Sequence, residues 1–213
     1  MKKITIITSL IVIGFSYPLQ AQFTQVELFS GFDKTDFTLL SSYSINKSKK
    51  LSINTVAFFQ KFKKVNQEFD EIGLQPTLFW NITKKLALGP SIYYNSFAGY
   101  SERFSAKFTI KGKQVLFVLM PTVTHSKQTN ISYAEIFVLI QYNKPINDKI
   151  SLWLNGQFLT IWNSFKIHSR SYQQLRVGLS FYEHQVGIGI DVDQYGLKRI
   201  EKSSFGISYR ITI

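Results

Sequence analysis

The chain has 213 residues, of which 45% are hydrophobic and 15% aromatic, and it carries a formal charge of +12 without a single cysteine. This composition is too apolar for a disordered chain, and the lack of cysteine excludes disulfide bonds, thiolate metal sites and thiol nucleophiles. A basic chain suits nucleic acid or anionic lipid. No recognition helix, zinc finger or RNA-binding motif is visible, so no nucleic-acid partner is predicted.

The first residues have the three parts of a secretory signal peptide. "MKK" is a short basic start, "ITIITSLIVIGF" is an apolar run, and "SYPLQAQ" places Ala21 before a plausible cleavage point. The apolar run is too short for a membrane-spanning helix, which needs about 20 residues. We predict that residues 1–21 are a signal peptide and that residues 22–213 form one exported domain.

Beyond the signal peptide, apolar and polar residues alternate with a period of two, which is typical of strands with two different faces. Tight, mostly Lys-rich turns near positions 48, 84, 112, 148 and 183 alternate with longer loops. This rhythm predicts an all-β, closed antiparallel up-and-down transmembrane β-barrel, with short turns at one rim and long loops at the other. We predict about twelve strands, with ten or eight as alternatives. Their ranges are 23–32, 36–46, 50–62, 70–82, 85–97, 102–111, 114–125, 131–145, 149–164, 170–182, 184–193 and 203–213.

Aromatic residues on the apolar face indicate that this face meets lipid. Tyr43, Trp80 and Tyr142 fall near the short turns, and Tyr94 and Trp162 fall near the long loops. Such rings prefer the two membrane interfaces, so these five residues are the predicted aromatic girdle. Backbone groups in lipid must all be paired, so we expect the first and last strands to pair and close the sheet.

The signal sequence, the Lys-rich turns and the terminal alternation "FGISYRITI" together resemble the small outer-membrane β-barrel proteins of Gram-negative bacteria. The resemblance covers essentially the whole mature chain. It implies a location in the bacterial outer membrane, contact with outer-membrane lipid, and insertion by the barrel-assembly machinery. Proteins of this class commonly end in an assembly signal of alternating apolar residues. The matching residues here are Phe205, Ile207, Tyr209, Ile211 and Ile213, with Ile213 in place of the usual terminal aromatic residue.

Charged residues on the polar face are the predicted lumen network. Glu27, Arg210, Asp191 and Arg176 lie on four strands that become neighbours when the barrel closes, and they are expected to form a ladder. Such charges are costly unless paired or hydrated. Two interpretations stay open: a structural network that holds the barrel shut, and a constriction that selects solutes by charge.

A second lumen cluster is expected from Arg103 and Lys107, with Glu135 two strands away. Together with Arg176 and Arg210, these basic side chains would favour a small anionic solute in a pore. The sequence therefore predicts a porin-like membrane protein, a small passive or solute-specific pore with anion preference. The alternative is a non-conducting barrel whose outer loops bind a partner or surface ligand.

A lipid-modifying barrel enzyme is the least favoured alternative. Such an enzyme would need a histidine beside a serine, but adjacent strand residues point to opposite faces. His168 and Ser171 also have opposite parity. Asp191 and Asp193 share a face, but two carboxylates alone make a weak calcium site. No catalytic residue, metal or cofactor is predicted.

Overall fold

The computed structural model describes residues 23–196 and 200–213, so the predicted signal peptide, residues 1–21, lies outside the described residues. Within the described residues, twelve strands form one closed antiparallel barrel in which each strand pairs with its neighbours along the chain. No helix in this part of the chain is long and apolar enough to cross a membrane. The strands are β1 (Phe23–Gly31), β2 (Lys34–Ser44), β3 (Leu51–Phe62), β4 (Glu71–Asn81), β5 (Leu86–Asn95), β6 (Gly99–Lys111), β7 (Val115–Ser126), β8 (Ile131–Pro145), β9 (Ile150–Asn163), β10 (Ile167–Phe181), β11 (His184–Tyr195) and β12 (Ile200–Thr212).

The predicted all-β closed barrel of twelve strands is confirmed, and closure occurs where the alternation required it. β1 pairs with β12, and Glu27 lies directly opposite Arg210. The predicted strand ends are displaced by a few residues at most, as at Lys34, where β2 begins two residues early. The predicted contrast in connection length between the two rims is wrong, because the strands extend into the expected loops: except for the eight residues between β3 and β4, the connections at both rims have two to six residues. The end of the barrel with the β2–β3, β4–β5, β6–β7, β8–β9 and β10–β11 turns is called the short-turn rim, and the other end the long-loop rim. One element was not predicted: a short 3-10 helix, Lys64–Phe69, which connects β3 to β4.

The outer surface of the barrel is apolar. Along β12, Phe205 and Ile207 are exposed, whereas Ser204 before them and Ser208 after them are buried. The closed sheet has no free edge, so each strand has a hydrogen-bonded neighbour on both sides. An apolar surface around a closed sheet matches hydrocarbon rather than water as the surrounding solvent.

The predicted girdle residues lie on this outer surface. Trp80, Tyr94 and Trp162 are exposed. Tyr43 and Tyr142 are half-buried, and each lies on the same face of its strand as other outward-facing residues. Tyr43, Trp80 and Tyr142 lie toward the short-turn rim, and the other two lie toward the long-loop rim. Their role as interfacial anchors stays a prediction.

The residues of the predicted assembly signal also face outward. Phe205, Ile207, Tyr209 and Ile213 are exposed and Ile211 is half-buried. Ile213 follows the end of β12 and exchanges two backbone hydrogen bonds with β1, of 2.9 and 2.7 Å. The alternating apolar residues of β12 therefore lie on the outer surface of the barrel, where another protein can contact them. Their recognition by the assembly machinery remains a prediction.

Candidate functional site in the barrel interior

The centre of the interior site is Glu27, a buried carboxylate that bridges two arginines. Arg210 Nε donates to Glu27 Oε2 at 2.8 Å, and Arg176 Nε donates to Glu27 Oε1 at 3.0 Å. Arg176 also pairs with Asp191. The structure thus brings together the four residues of the expected ladder, with Arg176 rather than Arg210 contacting Asp191. All four are buried, so each charge depends on its partners.

Lys34 extends this site toward the long-loop rim. Its Nζ lies 3.1 Å from an Asp36 oxygen, 3.1 Å from Asp191 Oδ2 and 2.7 Å from Asp193 Oδ2. Only 2% of the Lys34 residue is exposed. One ammonium group therefore contacts three carboxylates that would otherwise repel one another at short range, and Arg176 and Arg170 supply further positive charge to Asp191 and Asp193.

Arg170 carries the chain of ion pairs across the lumen. Its Nη2 donates to Asp193 Oδ1 at 3.1 Å, and its Nη1 pairs with Glu71 on the facing side of the barrel. Glu71 also accepts a 2.9 Å hydrogen bond from Asn95 Nδ2. These contacts join strands that are far apart around the barrel. The interior charge network consists of Glu27, Lys34, Asp36, Glu71, Arg170, Arg176, Asp191, Asp193 and Arg210.

Several members of this network were missed by sequence reasoning, and most of them had a readable signal. Asp193 shares its strand face with Asp191, Arg170 shares its face with Arg176, and parity places Glu71 inside as well. Lys34 had no such signal, because the residues around it were interpreted as a loop.

A glycine makes the path of Arg176 possible. Gly189 lies directly opposite Arg176 on β11, and a β-carbon there would lie 2.5 Å from Arg176 Cδ and 2.8 Å from Nη1. The Arg176 side chain can therefore run over the inner face of β11 only because residue 189 has no side chain.

We expect Gly189→Ala to lower the free energy of unfolding by about 1–3 kcal/mol, because the new methyl group displaces an arginine that is held by two carboxylates. Urea unfolding of the folded barrel in detergent micelles measures this loss. Gly156→Ala is the matched control, since a β-carbon there meets nothing within 4 Å. Equal effects of the two substitutions would contradict the role given to Gly189.

The second predicted cluster forms only in part. Arg103 pairs with Glu135 at 2.9 Å and also donates to Gln75 Oε1 at 2.9 Å. The Arg103 guanidinium carbon lies 3.6 Å from the centroid of the Tyr93 ring, and Thr124 Oγ1 donates to Glu135 at 2.8 Å. Arg103 is therefore held by a carboxylate, an amide and an aromatic face.

Lys107 does not join that cluster, which corrects the sequence-based expectation. Its Nζ lies 4.2 Å from the centroid of the Phe79 ring. Among the described residues, no carboxylate forms an ion pair with it. Lys107 points toward the short-turn half of the lumen and Glu135 lies in the long-loop half, so their separation along the barrel axis keeps them apart.

Large side chains fill the lumen beside the charge network. Phe79 and Trp153 lie near the short-turn rim and Phe29 lies toward the long-loop end of β1, and each of the three is 2% exposed or less. The Arg210 guanidinium carbon lies 4.5 Å from the Trp153 ring centroid, and that of Arg176 lies 4.1 Å from the Phe29 ring centroid. Aromatic faces and guanidinium planes thus stack into a filled layer.

The long-loop half of the lumen instead contains a cavity of about 570 Å³. Phe97 and Ser169 line it at the rim, and Leu139 and Gln157 line it near mid-height. Its wall is partly charged, through Arg103, and partly apolar. The lumen therefore combines a chamber on the long-loop side with a filled layer on the short-turn side.

A β-bulge changes the expectation for His168 and Ser171. The pairing of β9 with β10 shifts between residues 168 and 170, so both side chains reach the outer face, and His168 Nε2 lies 2.8 Å from Ser171 Oγ. The parity argument against this contact was therefore wrong. Ser171 also donates to Thr160 Oγ1 at 3.1 Å, and Trp162 Nε1 donates to the same oxygen at 2.9 Å. No carboxylate among the described residues orients His168, and these bonds tie β9 to β10 at the bulge.

The candidate calcium ligands have a different partner. Asp191 and Asp193 both contact Lys34, so an ammonium group occupies the position between them. No group of three or more potential ligating side chains that could hold a metal ion occurs in the described part of the chain.

The closed twelve-stranded sheet, its apolar outer surface and its charged interior define a transmembrane β-barrel of the bacterial outer-membrane type. No protein-family model matches the chain, and no curated protein matches it. Among solved structures, the chain is similar to the NanC porin, with 12% identity, 89% of this chain and 97% of that chain covered, and a TM-score of 0.51.

Two further outer-membrane structures resemble the chain. The KdgM porin has 6% identity, coverage of 89% and 98%, and a TM-score of 0.48. The COG4313 outer membrane channel from Pseudomonas putida F1 has 11% identity, coverage of 93% and 97%, and a TM-score of 0.48. At 12% identity the similarity to the NanC porin concerns the fold alone, and the function has to be argued from the interior.

Proposed function

We propose that the protein is a solute-specific outer-membrane channel in which solute enters the chamber from the long-loop side and the route narrows toward the short-turn rim at the Glu27–Arg210 ion pair and the side chains of Phe79 and Trp153. The observation that carries this proposal is the chamber of about 570 Å³ on the long-loop side of buried ion-paired and aromatic side chains that include Arg210 and Trp153. A passive pore would need a continuous wide lumen, whereas a chamber above a constriction favours passage of selected molecules.

Single-channel recording in planar lipid bilayers tests the proposal. We expect small discrete conductance steps from the purified barrel, because the filled layer leaves only a narrow path. A closed baseline at all voltages would reject the channel and favour the alternative, a non-conducting barrel whose outer loops bind a partner or surface ligand. The filled short-turn half is the observation that keeps this alternative in place.

The proposed anion preference depends on which interior cations lack a carboxylate partner. Arg103, Arg176 and Arg210 are each paired with an acidic side chain. Lys107 contacts an aromatic ring instead. Paired charges present little net field to a passing ion, so the proposed preference is weak and originates at Lys107.

We therefore expect Lys107→Glu to reverse the ion selectivity, because an unpaired cation in the lumen becomes an anion. The measurement is the reversal potential in a salt gradient, which should change sign. Lys127→Glu makes the same charge change at the long-loop rim, where Lys127 is largely exposed and 2.5 Å from Glu102, and should leave the sign unaltered. An unchanged reversal potential in Lys107→Glu would contradict this assignment.

A further inference from the structure

We infer that the long-loop cavity binds an uncharged amphipathic small molecule, with its hydrocarbon body between two apolar walls and its hydroxyl or carbonyl groups on the polar flanks. This inference rests on the proposed channel function and names the chemical class of its solute. The cavity volume, about 570 Å³, lies within the usual range for small-molecule sites, about 300–1,000 Å³.

The first apolar wall crosses three strands. Met120 lies opposite Phe137, and Phe137 lies opposite Leu159, so the three side chains form one row on the inner face of β7, β8 and β9. All three line the cavity and are only half-buried. An outer-membrane barrel filled only with water needs polar residues at such positions, so this row indicates an apolar ligand.

A second apolar wall lies on β2 and β3, which are opposite β8 and β9 in the twelve-strand order. Leu40 pairs with Val56, and both line the cavity together with Phe58. Phe58 lies against Gly73, where a β-carbon would be 2.2 Å from the ring. The missing side chain at Gly73 lets the Phe58 ring pack against β4 and leaves the chamber open between the two apolar walls.

The remaining flanks are polar and most of their charges are paired; Glu68, an exposed residue of the 3-10 helix, is the lining carboxylate for which no ion pair is found among the described residues. Arg103 is paired with Glu135, and Arg170 is paired with Glu71. A charged solute would have to displace one of these pairs and leave its partner buried and alone, which is costly. Uncharged hydrogen-bonding groups also line the cavity. They include Gln75, Tyr93, Asn163, Tyr172 and Gln174.

Aliphatic side chains dominate the apolar walls, so shape and hydrophobic area govern the fit there. Hydroxyl and carbonyl groups match the amides and phenols on the flanks, which donate and accept in turn. The chemistry of the cavity therefore selects an aliphatic or alicyclic body with neutral polar groups. Such a solute carries no current, so its binding is measured separately from conductance.

Protection of an introduced cysteine tests the inference, since the chain has no cysteine of its own. Thr38→Cys places a thiol in the cavity wall opposite Phe58. In the reconstituted barrel we expect 1-octanol to slow the reaction of this thiol with N-ethylmaleimide. At equal free concentration, octanoate should protect at least tenfold less well and glucose should not protect. Thr109→Cys, on the inner face outside the cavity, is the control for general effects on the bilayer.

Substitutions in the wall give the second arm. Leu159→Asn in the Thr38→Cys background should raise the octanol concentration needed for protection about tenfold. Gln157→Leu extends the same wall and should lower it, which keeps the test decisive where Leu159→Asn fails to fold. Heat-modifiable mobility on gels verifies folding of each variant.

Equal protection by octanol and octanoate, no protection by octanol, or protection that neither wall substitution alters would each overturn the inference. Protection without any conductance would overturn the channel and support the ligand site. Conductance without protection would support the channel and overturn the ligand site.

Discussion

Replacing Lys34 with methionine should lower the free energy of unfolding by about 3–5 kcal/mol, because three buried carboxylates would lose the cation that contacts all of them. Methionine keeps most of the apolar volume, so the loss reports the charge rather than a cavity. The ammonium of Lys34 lies between Asp36, Asp191 and Asp193 at 2.7–3.1 Å. Urea unfolding in detergent micelles, followed by tryptophan fluorescence, measures the change.

Lys127→Met is the matched control for this prediction. Lys127 forms an ion pair with Glu102, but both side chains are more than half exposed, and such pairs contribute about 1 kcal/mol or less. The double variant Lys34→Met with Asp36→Asn should recover part of the stability, because Asp36 forms an ion pair with Lys34 and with no other cation among the described residues, so that a repelling charge is removed without breaking a second pair. A loss no larger than that of Lys127→Met would show that Lys34 does not hold the cluster together.

Trp153→Ala should increase the single-channel conductance several-fold, because it removes the largest apolar side chain of the filled layer. Trp153 is 2% exposed, and its ring lies 4.5 Å from the guanidinium carbon of Arg210. The same substitution should cost about 3–5 kcal/mol of stability, as expected for a large buried aromatic side chain. Recording in planar bilayers checks the first effect and urea unfolding checks the second.

Trp80→Ala provides the comparison, since Trp80 faces outward and is 58% exposed. That variant should leave the conductance unaltered, because it does not contact the lumen. A Trp153→Ala barrel that conducts no better than the unsubstituted protein would mean that the filled layer is not the constriction. The non-conducting alternative would then be favoured.

The sequence was sufficient to predict the barrel because hydrocarbon around a closed sheet imposes a strict two-residue alternation. Val186, Ile188 and Ile190 follow this rule outside, and Asp191 and Asp193 follow it inside. The strand count, strand order and closure all follow from that alternation and from the turns between strands.

The interior was predicted less completely, for three physical reasons. Lys34 falls at a strand boundary, where patterns are weakest. The bulge near His168 inserts one residue into β10, so the simple alternation of inward and outward side chains is reversed on one side of it. Phe137 and its neighbours are apolar on both faces of the sheet, so the pattern alone does not distinguish a lipid-facing surface from a ligand-binding wall.

The interior charge network also favours one register for the pairing of β1 with β12, which closes the barrel. Glu27 on the first strand and Arg210 on the last are direct neighbours across the junction that completes the circle. A slip of one residue there would turn one of these two charges out into the hydrocarbon and leave Arg176 without one of its two acids. An incorrect register between β1 and β12 is therefore electrostatically unfavourable. The ion pairs that are proposed to narrow the lumen thus also select the correct pairing of the first and last strands.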